Sequence, residues 1–228
     1  MPLPSSHDAP PVELIAAVDN LSDPAAVAAW VEKQLAFDAK SGSPFFLTYT
    51  NHTVGDDGRV SLAGNVNAQA LPQRLKPYNR LPVNFKIVSG AVWTNPDIIS
   101  FEGFPEVVDF INVSSSAIPS WNGCPRRVSA LVLNEQLAQR VDPKHAAGSA
   151  AETINLGYLE KPTCLPRLAF FPQLQSLAFT CAPEILDEKQ VEELKDFFIP
   201  RLKVALRNRA GVLRLEQELI DAGYEEWV

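Results

Sequence analysis

The hexapeptide SFEGFP at residues 100–105 returns as SWNGCP at residues 120–125, and the match extends well beyond these six positions. Shifted by twenty, Leu81 falls on Phe101 and Trp121, and Val88 on Val108 and Val128. Ala91 falls on Ile111 and Leu131, Trp93 on Val113 and Leu133, and Ile98 on Ile118. Each copy holds a short alternating strand (GAVW, FINV, ALVL), a polar turn (TNPD, SSSA, NEQL), an apolar residue and a return bearing Gly or Pro. One such unit cannot bury its own apolar face. Copies laid side by side can, because equivalent residues then sit about 5 Å apart on neighbouring strands. A period near twenty with one strand per copy is the pattern of a stacked repeat. On this register Ala91 and Trp93, Ile111 and Val113, and Leu131 and Leu133 point into the core. Alternation then sends Val92, Phe110, Asn112, Ala130 and Val132 to the opposite face of the sheet.

The flanks read differently. Residues 1–11 are rich in Pro, Ser and small residues and read as a loose arm, followed by a short helix in VELIAAVDNL. Asp23 is a natural N-cap, Pro24 suits the first helical position, and Val27, Trp30, Val31 and Leu35 share one face. FFLTYTNHTV and VSLAGNVNA form a hairpin about GDDG. After Asn134 the period fails: residues 135–152 read as an insertion, and TINLGYL and LQSLAFT as further strands. From Asp187 the pattern is helical, first in EKQVEELKDFFI and then from about Leu202 to a closing Gly223. The predicted organisation is an N-terminal arm and helices (1–44), a repeat β region (45–186) and C-terminal helices (187–228) in one α+β body.

Composition removes several function classes. A net charge of −7 over 228 residues disfavours sequence-independent binding to nucleic acid or an anionic membrane. No window approaches a membrane span, and MPLPSSHDAPP has neither the basic nor the apolar region of a signal peptide. Cys124, Cys164 and Cys181 are odd in number and lack C-x-x-C spacing, so the expectation is a cytoplasmic protein without a disulfide framework or metal. His7, His52 and His145 have no ligand spacing, and no nucleotide-binding or nucleophile motif occurs. Ser114, Ser115 and Ser116 fall on a repeat turn, where small polar side chains satisfy backbone groups. The cations Arg201, Lys203, Arg207, Arg209 and Arg214 are followed at once by acids and read as a solvated helix face.

Taken in order, GDDGRVSLAGNVNA, LPVNFKIVSGAVW, SFEGFPEVVDFINVSSSAI, SWNGCPRRVSALVLN and ELIDAGY resemble the bacteriophage leucine-rich-repeat-like proteins. Those proteins share an acidic-Gly hairpin, L-x-G-x-P-x-x-V units with a polar turn, and a final helix of the ELIDAG kind. The chain departs from them in the insert QALPQRLKPYN, in the drift after residue 134, and in residues 1–44, which have no counterpart. The resemblance implies a short leucine-rich-repeat-like sheet flanked by N- and C-terminal helices, with no catalytic residues and no cofactor. It also implies a phage origin; an open repeat sheet, the absence of catalytic motifs and the acidic charge add the expectation that the protein acts in the host cytoplasm by contact with a host factor or defence protein. A virion or assembly component is the second reading, and an enzyme the third. The expected contact surface is the band opposite the core, with Phe110 as anchor and Val92 and Val132 beside it. Asn112 and Asn134, with Thr94 and Ser114, supply its polar rim. A competing expectation lays the helix containing Trp30 over the same band.

Overall fold

The structure, a computed structural model, describes Val18, Asn20 and residues 22–41, 47–69 and 79–228. The arm, most of the short helix after it and most of the insert QALPQRLKPYN lie outside the described residues. Seven strands stand side by side in chain order in one mixed sheet. They are β1 (Leu47–Val54), β2 (Val60–Asn67), β3 (Phe85–Trp93), β4 (Val107–Asn112), β5 (Arg127–Val132), β6 (Thr153–Leu159) and β7 (Ser176–Cys181). β1 and β2 are an antiparallel hairpin, closed by Gly58 N–H to Gly55 O and Gly55 N–H to Arg59 O, with Gly58 at φ 70°. Every later pair is parallel. Each link must therefore carry the chain back to the start of the next strand.

The core follows from the pairing. Val66, Val92, Ile111, Leu131, Ile154 and Leu177 lie opposite one another across six strands, and all are buried. A second buried row runs Leu62, Val88, Val108, Val128. Leu81, Phe101 and Trp121 in the returning segments, and Ile98 and Ile118 after the turns, are buried in the same core. The twenty-residue register thus holds for Val88, Val108 and Val128, and for Ile111 and Leu131.

It slips by one inside β3. Between Val88 and Ala91 two residues oppose the single residue between Val108 and Phe110, a bulge. Val92, not Ala91, therefore pairs with Ile111, and Trp93 pairs with Asn112. The slip falls where β2 and β3 approach most closely: a Cβ on Gly90 would lie 2.4 Å from the Gly64 carbonyl oxygen. The Asn65 side chain holds the kink by accepting from Ala91 N–H at 2.8 Å. Val113, Ile111, Leu131 and Leu133 are buried as expected, whereas Trp93 is only half-buried on the other face.

Pairing also continues past Asn134. Leu131, Ile154 and Leu177 extend the same row at intervals of twenty-three. The longer step accommodates helical links. Residues 135–152 contain α2 (Glu135–Gln139) and α3 (Pro143–Ala147), capped by Asn134 and Asp142, and a 3-10 helix spans Leu165–Phe170 before β7.

Helices close the two ends. α1 (Pro24–Ser41) starts at Asp23, whose carboxylate accepts from Ala25 and Ala26 N–H, and packs beside β1 with Val27, Trp30 and Val31 buried. It is thus an edge element, and the expectation that it lies over the repeat strands is corrected. α4 (Glu188–Val204) begins with a capping box between Asp187 and Gln190 and packs on β7. It runs through Pro200 to a buried Leu202, further than its apolar pattern suggests. α5 (Arg209–Asp221) accordingly starts at the Asn208 cap, later than Leu202, and packs on the 3-10 helix. Gly223, at φ 84°, ends it with Gly223 N–H to Ile220 O and Tyr224 N–H to Leu219 O, a Schellman closure. Trp227 stacks on Phe179 at 5.5 Å. No helix among the described residues is long and apolar enough to cross a membrane.

Candidate functional site

One residue beyond the buried row, the strands present Asn67, Trp93, Asn112, Val132, Asn155 and Ala178 in line on the opposite face. On the row before it, Phe110 stands between Ala91 and Ala130. Those two small neighbours leave room for the Phe110 ring to spread. Trp93, diagonal to it on β3, comes within 6.2 Å centroid to centroid at an interplanar angle of 54°. Such a tilted pair is worth about 0.5–1.5 kcal/mol beyond its area. Nearer the strand starts, Ser61, Ile87, Val107 and Arg127 form a further row. Ile87 is 38% exposed, while Trp93, Phe110, Asn112 and Val132 are half-buried.

Of the five expected contact residues the structure brings three together, Phe110, Asn112 and Val132. Val92 leaves the band: the bulge turns it into the core, where it is fully buried. Asn134 leaves it too, for a different reason. It is 7% exposed, its Oδ1 accepts from Leu137 N–H at 2.8 Å, and its Nδ2 donates to Ile118 O at 2.8 Å and Ser116 O at 3.4 Å. Thr94, placed on the rim, is buried and donates to Asn112 O. Trp93 takes the place that Val92 vacates. The signal for it was Gly90, since a lone glycine within a strand pattern marks a bulge or a close backbone approach.

The turn serines have local partners. Ser114 donates from both N–H and Oγ to Asn112 Oδ1, Ser115 Oγ donates to Thr94 O, and Ser116 Oγ to Val113 O. Burial pushes the thiols of Cys124, Cys164 and Cys181 up from their ordinary value, so they are protonated at neutral pH.

Two clefts adjoin these elements. One, of about 720 Å³, lies between α4 and α5, with Val204 and Leu206 exposed and Glu218 held between Arg201 and Arg214. The other, of about 780 Å³, opens at the starts of β4 and β5 against α3. It is lined by Arg59, Glu106, Arg126, Arg127, Asp142 and Lys144, and by His145, which is 6% exposed and stacked on Trp121 at 5.1 Å. His145 Nε2 has no hydrogen-bond partner. Burial first, and then the Arg126 charge, hold the His145 pKa below its ordinary value, opposed by Asp142 and the Pro125 carbonyl. The imidazole is therefore neutral at pH 7.

In comparison with known proteins, the chain matches no family model, no curated protein and no solved structure.

Proposed function

We propose that this is a non-catalytic protein that acts by contact with another protein through the face of β3–β5 opposite the core. The observation that carries the reading is the half-exposed aromatic pair Trp93 and Phe110, with Ile87 and Val132 beside it. Parallel strands ordinarily have both faces covered, so accessible apolar side chains there call for an occupant. An aromatic centre with a polar margin, here Asn67, Asn112 and Asn155, is how binding energy is usually concentrated at protein interfaces.

The sequence resemblance supports a finer version: a leucine-rich-repeat-like protein of bacteriophage origin whose partner is a host factor or defence protein in the host cytoplasm. Strands one repeat apart that pair in parallel, with helices at both ends, are consistent with it. Affinity capture from host lysate with tagged wild type, Phe110→Ala and Trp93→Ala tests the reading. A reproducible partner whose capture falls more than about tenfold in either variant, with a melting temperature within about 4 °C of wild type, is the expected result. Lost stability with undiminished capture would end it.

A further inference from the structure

We infer that the cleft at the starts of β4 and β5 receives an acidic peptide segment of the protein partner, as a continuation of the aromatic face. The partner's class rests on the reading above; the sign of its charge rests on the cleft itself. Four cations line the cleft, Arg59, Arg126, Arg127 and Lys144, against two carboxylates, Glu106 and Asp142, in a chain whose net charge is −7. These charges are not equally available. Arg59 donates to Glu106 and, at 3.0 Å, to Phe85 O, so Arg59 and Glu106 satisfy each other. Asp142 Oδ1 accepts the N–H groups of Lys144 and His145 at the start of α3.

Arg126, Arg127 and Lys144 have no ion pair among the described residues. Arg126 is also positioned. Its side chain lies over Gly148, where a Cβ would come within 3.3 Å of Nη1. His145 behind it is held neutral and so adds no charge of its own. A carboxylate-bearing ligand would give these three cations the ion-pair partners that the described residues do not supply.

The shape favours an extended chain over a compact anion. The cations come from two elements, the start of β5 and α3, around an open space of about 780 Å³. Val107 and Arg127, which pair across β4 and β5, line this space and also belong to the outer face. A peptide with an apolar residue near Trp93 and Phe110 can therefore run past Val107 and place its acids against Arg126, Arg127 and Lys144. A nucleic acid would bring the same sign of charge but would meet the repulsion of the whole acidic surface.

The test uses the full chain and hexaglutamate as probe, with hexaglutamine as control, followed by calorimetry at low ionic strength. Saturable hexaglutamate binding is expected, weakened more than about tenfold by Arg126→Glu and separately by Lys144→Glu. Melting curves accompany each variant, and Lys144→Glu carries the test if Arg126→Glu fails to fold. Equal binding of hexaglutamine, charge reversals within about twofold of wild type, or full displacement by equimolar inorganic phosphate would each overturn the inference. Failure here is distinguishable from failure of the face. No hexaglutamate binding, with partner capture still dependent on Phe110, removes the cleft alone; hexaglutamate binding with capture indifferent to Phe110 removes the face alone.

Discussion

Two adjacent rows on the same six strands obey different rules. The inner row, Val66, Val92, Ile111, Leu131, Ile154 and Leu177, holds aliphatic side chains only and is buried throughout. The outer row, one residue later, reads Asn67, Trp93, Asn112, Val132, Asn155 and Ala178. Backbone geometry is shared, so the difference lies in what each side chain must do. An inner residue fills a slot of fixed volume between its neighbours, and close packing leaves little choice. An outer residue answers only to the turn that follows.

That turn needs an acceptor. Asn67 and Asn112 supply it from the outer row itself, taking the N–H of Gln69 and Ser114, whereas Asn155 takes the N–H of Gly157 at a bulge within β6. On β3 and β5 the work moves two residues on. Asn95 accepts from Asp97 N–H, and Asn134 from Leu137 N–H. Trp93 and Val132 are thereby released from turn closure. The comparison teaches that the inner row specifies the sheet, while displaced asparagines free two outer positions for recognition.

The largest expected effect separates the rows most sharply. Ile111→Ala leaves a cavity in the middle of the inner row and should cost about 2–5 kcal/mol in denaturant unfolding. Val132→Ala, on the neighbouring row, should cost under about 1 kcal/mol. Equal costs would break the distinction between the rows. Next comes the register itself. Gly90→Ala places a methyl group against the Gly64 carbonyl and should destabilise by about 1–3 kcal/mol. A neutral Gly90→Ala would mean that β2 and β3 do not approach so closely, and that Val92 and Trp93 could exchange faces.

The asparagines give a smaller and more pointed contrast. Asn134→Ala removes a helix cap and leaves the Ile118 carbonyl unpaired, for about 1–2 kcal/mol. Asn112→Ala, half-buried with its partners near solvent, should cost clearly less, below about 1 kcal/mol. Urea midpoints of the two variants decide it. If Asn112 proved the costlier, turn closure on the outer row would be the stronger constraint and its asparagines would not serve as a rim.

What could be read in the sequence was local. The Asp23 cap with Pro24 behind it, the closing Gly223 and the GDDG hairpin rest on a few consecutive residues and are found where their chemistry places them. Val88, Val108 and Val128 share a row because short links keep the period. The face of Trp93 could not be settled the same way. Ala91, Val92 and Trp93 are three apolar residues in succession, so hydropathy does not choose their parity. The choice is made by Gly64, twenty-six residues before Gly90. β6 and β7 were legible as strands but not as members of the same row, because helical links lengthen the step. The cleft was hidden for a third reason: Arg59, Arg127 and Lys144 come from segments far apart in the chain.

The smallest effect tests the outer row from within. Trp93 and Phe110 are on neighbouring strands, and their rings lie close enough to couple directly. Neither ring fills the core, so each single alanine variant should shift stability only modestly, about 1 kcal/mol or less. Their non-additivity is the informative quantity. A double-mutant cycle over Trp93→Ala, Phe110→Ala and the double variant should give a coupling of about 0.5–1 kcal/mol. That value would show that the two rings already form one preassembled surface in the free protein, so that a partner need not order them on binding. A coupling near zero, within about 0.3 kcal/mol, would leave two independent aromatic side chains on a solvated face. The outer row would then be freed from turn closure without having been organised for anything else, and the case for Trp93 and Phe110 as a joint anchor would fail even if one of them touched a partner.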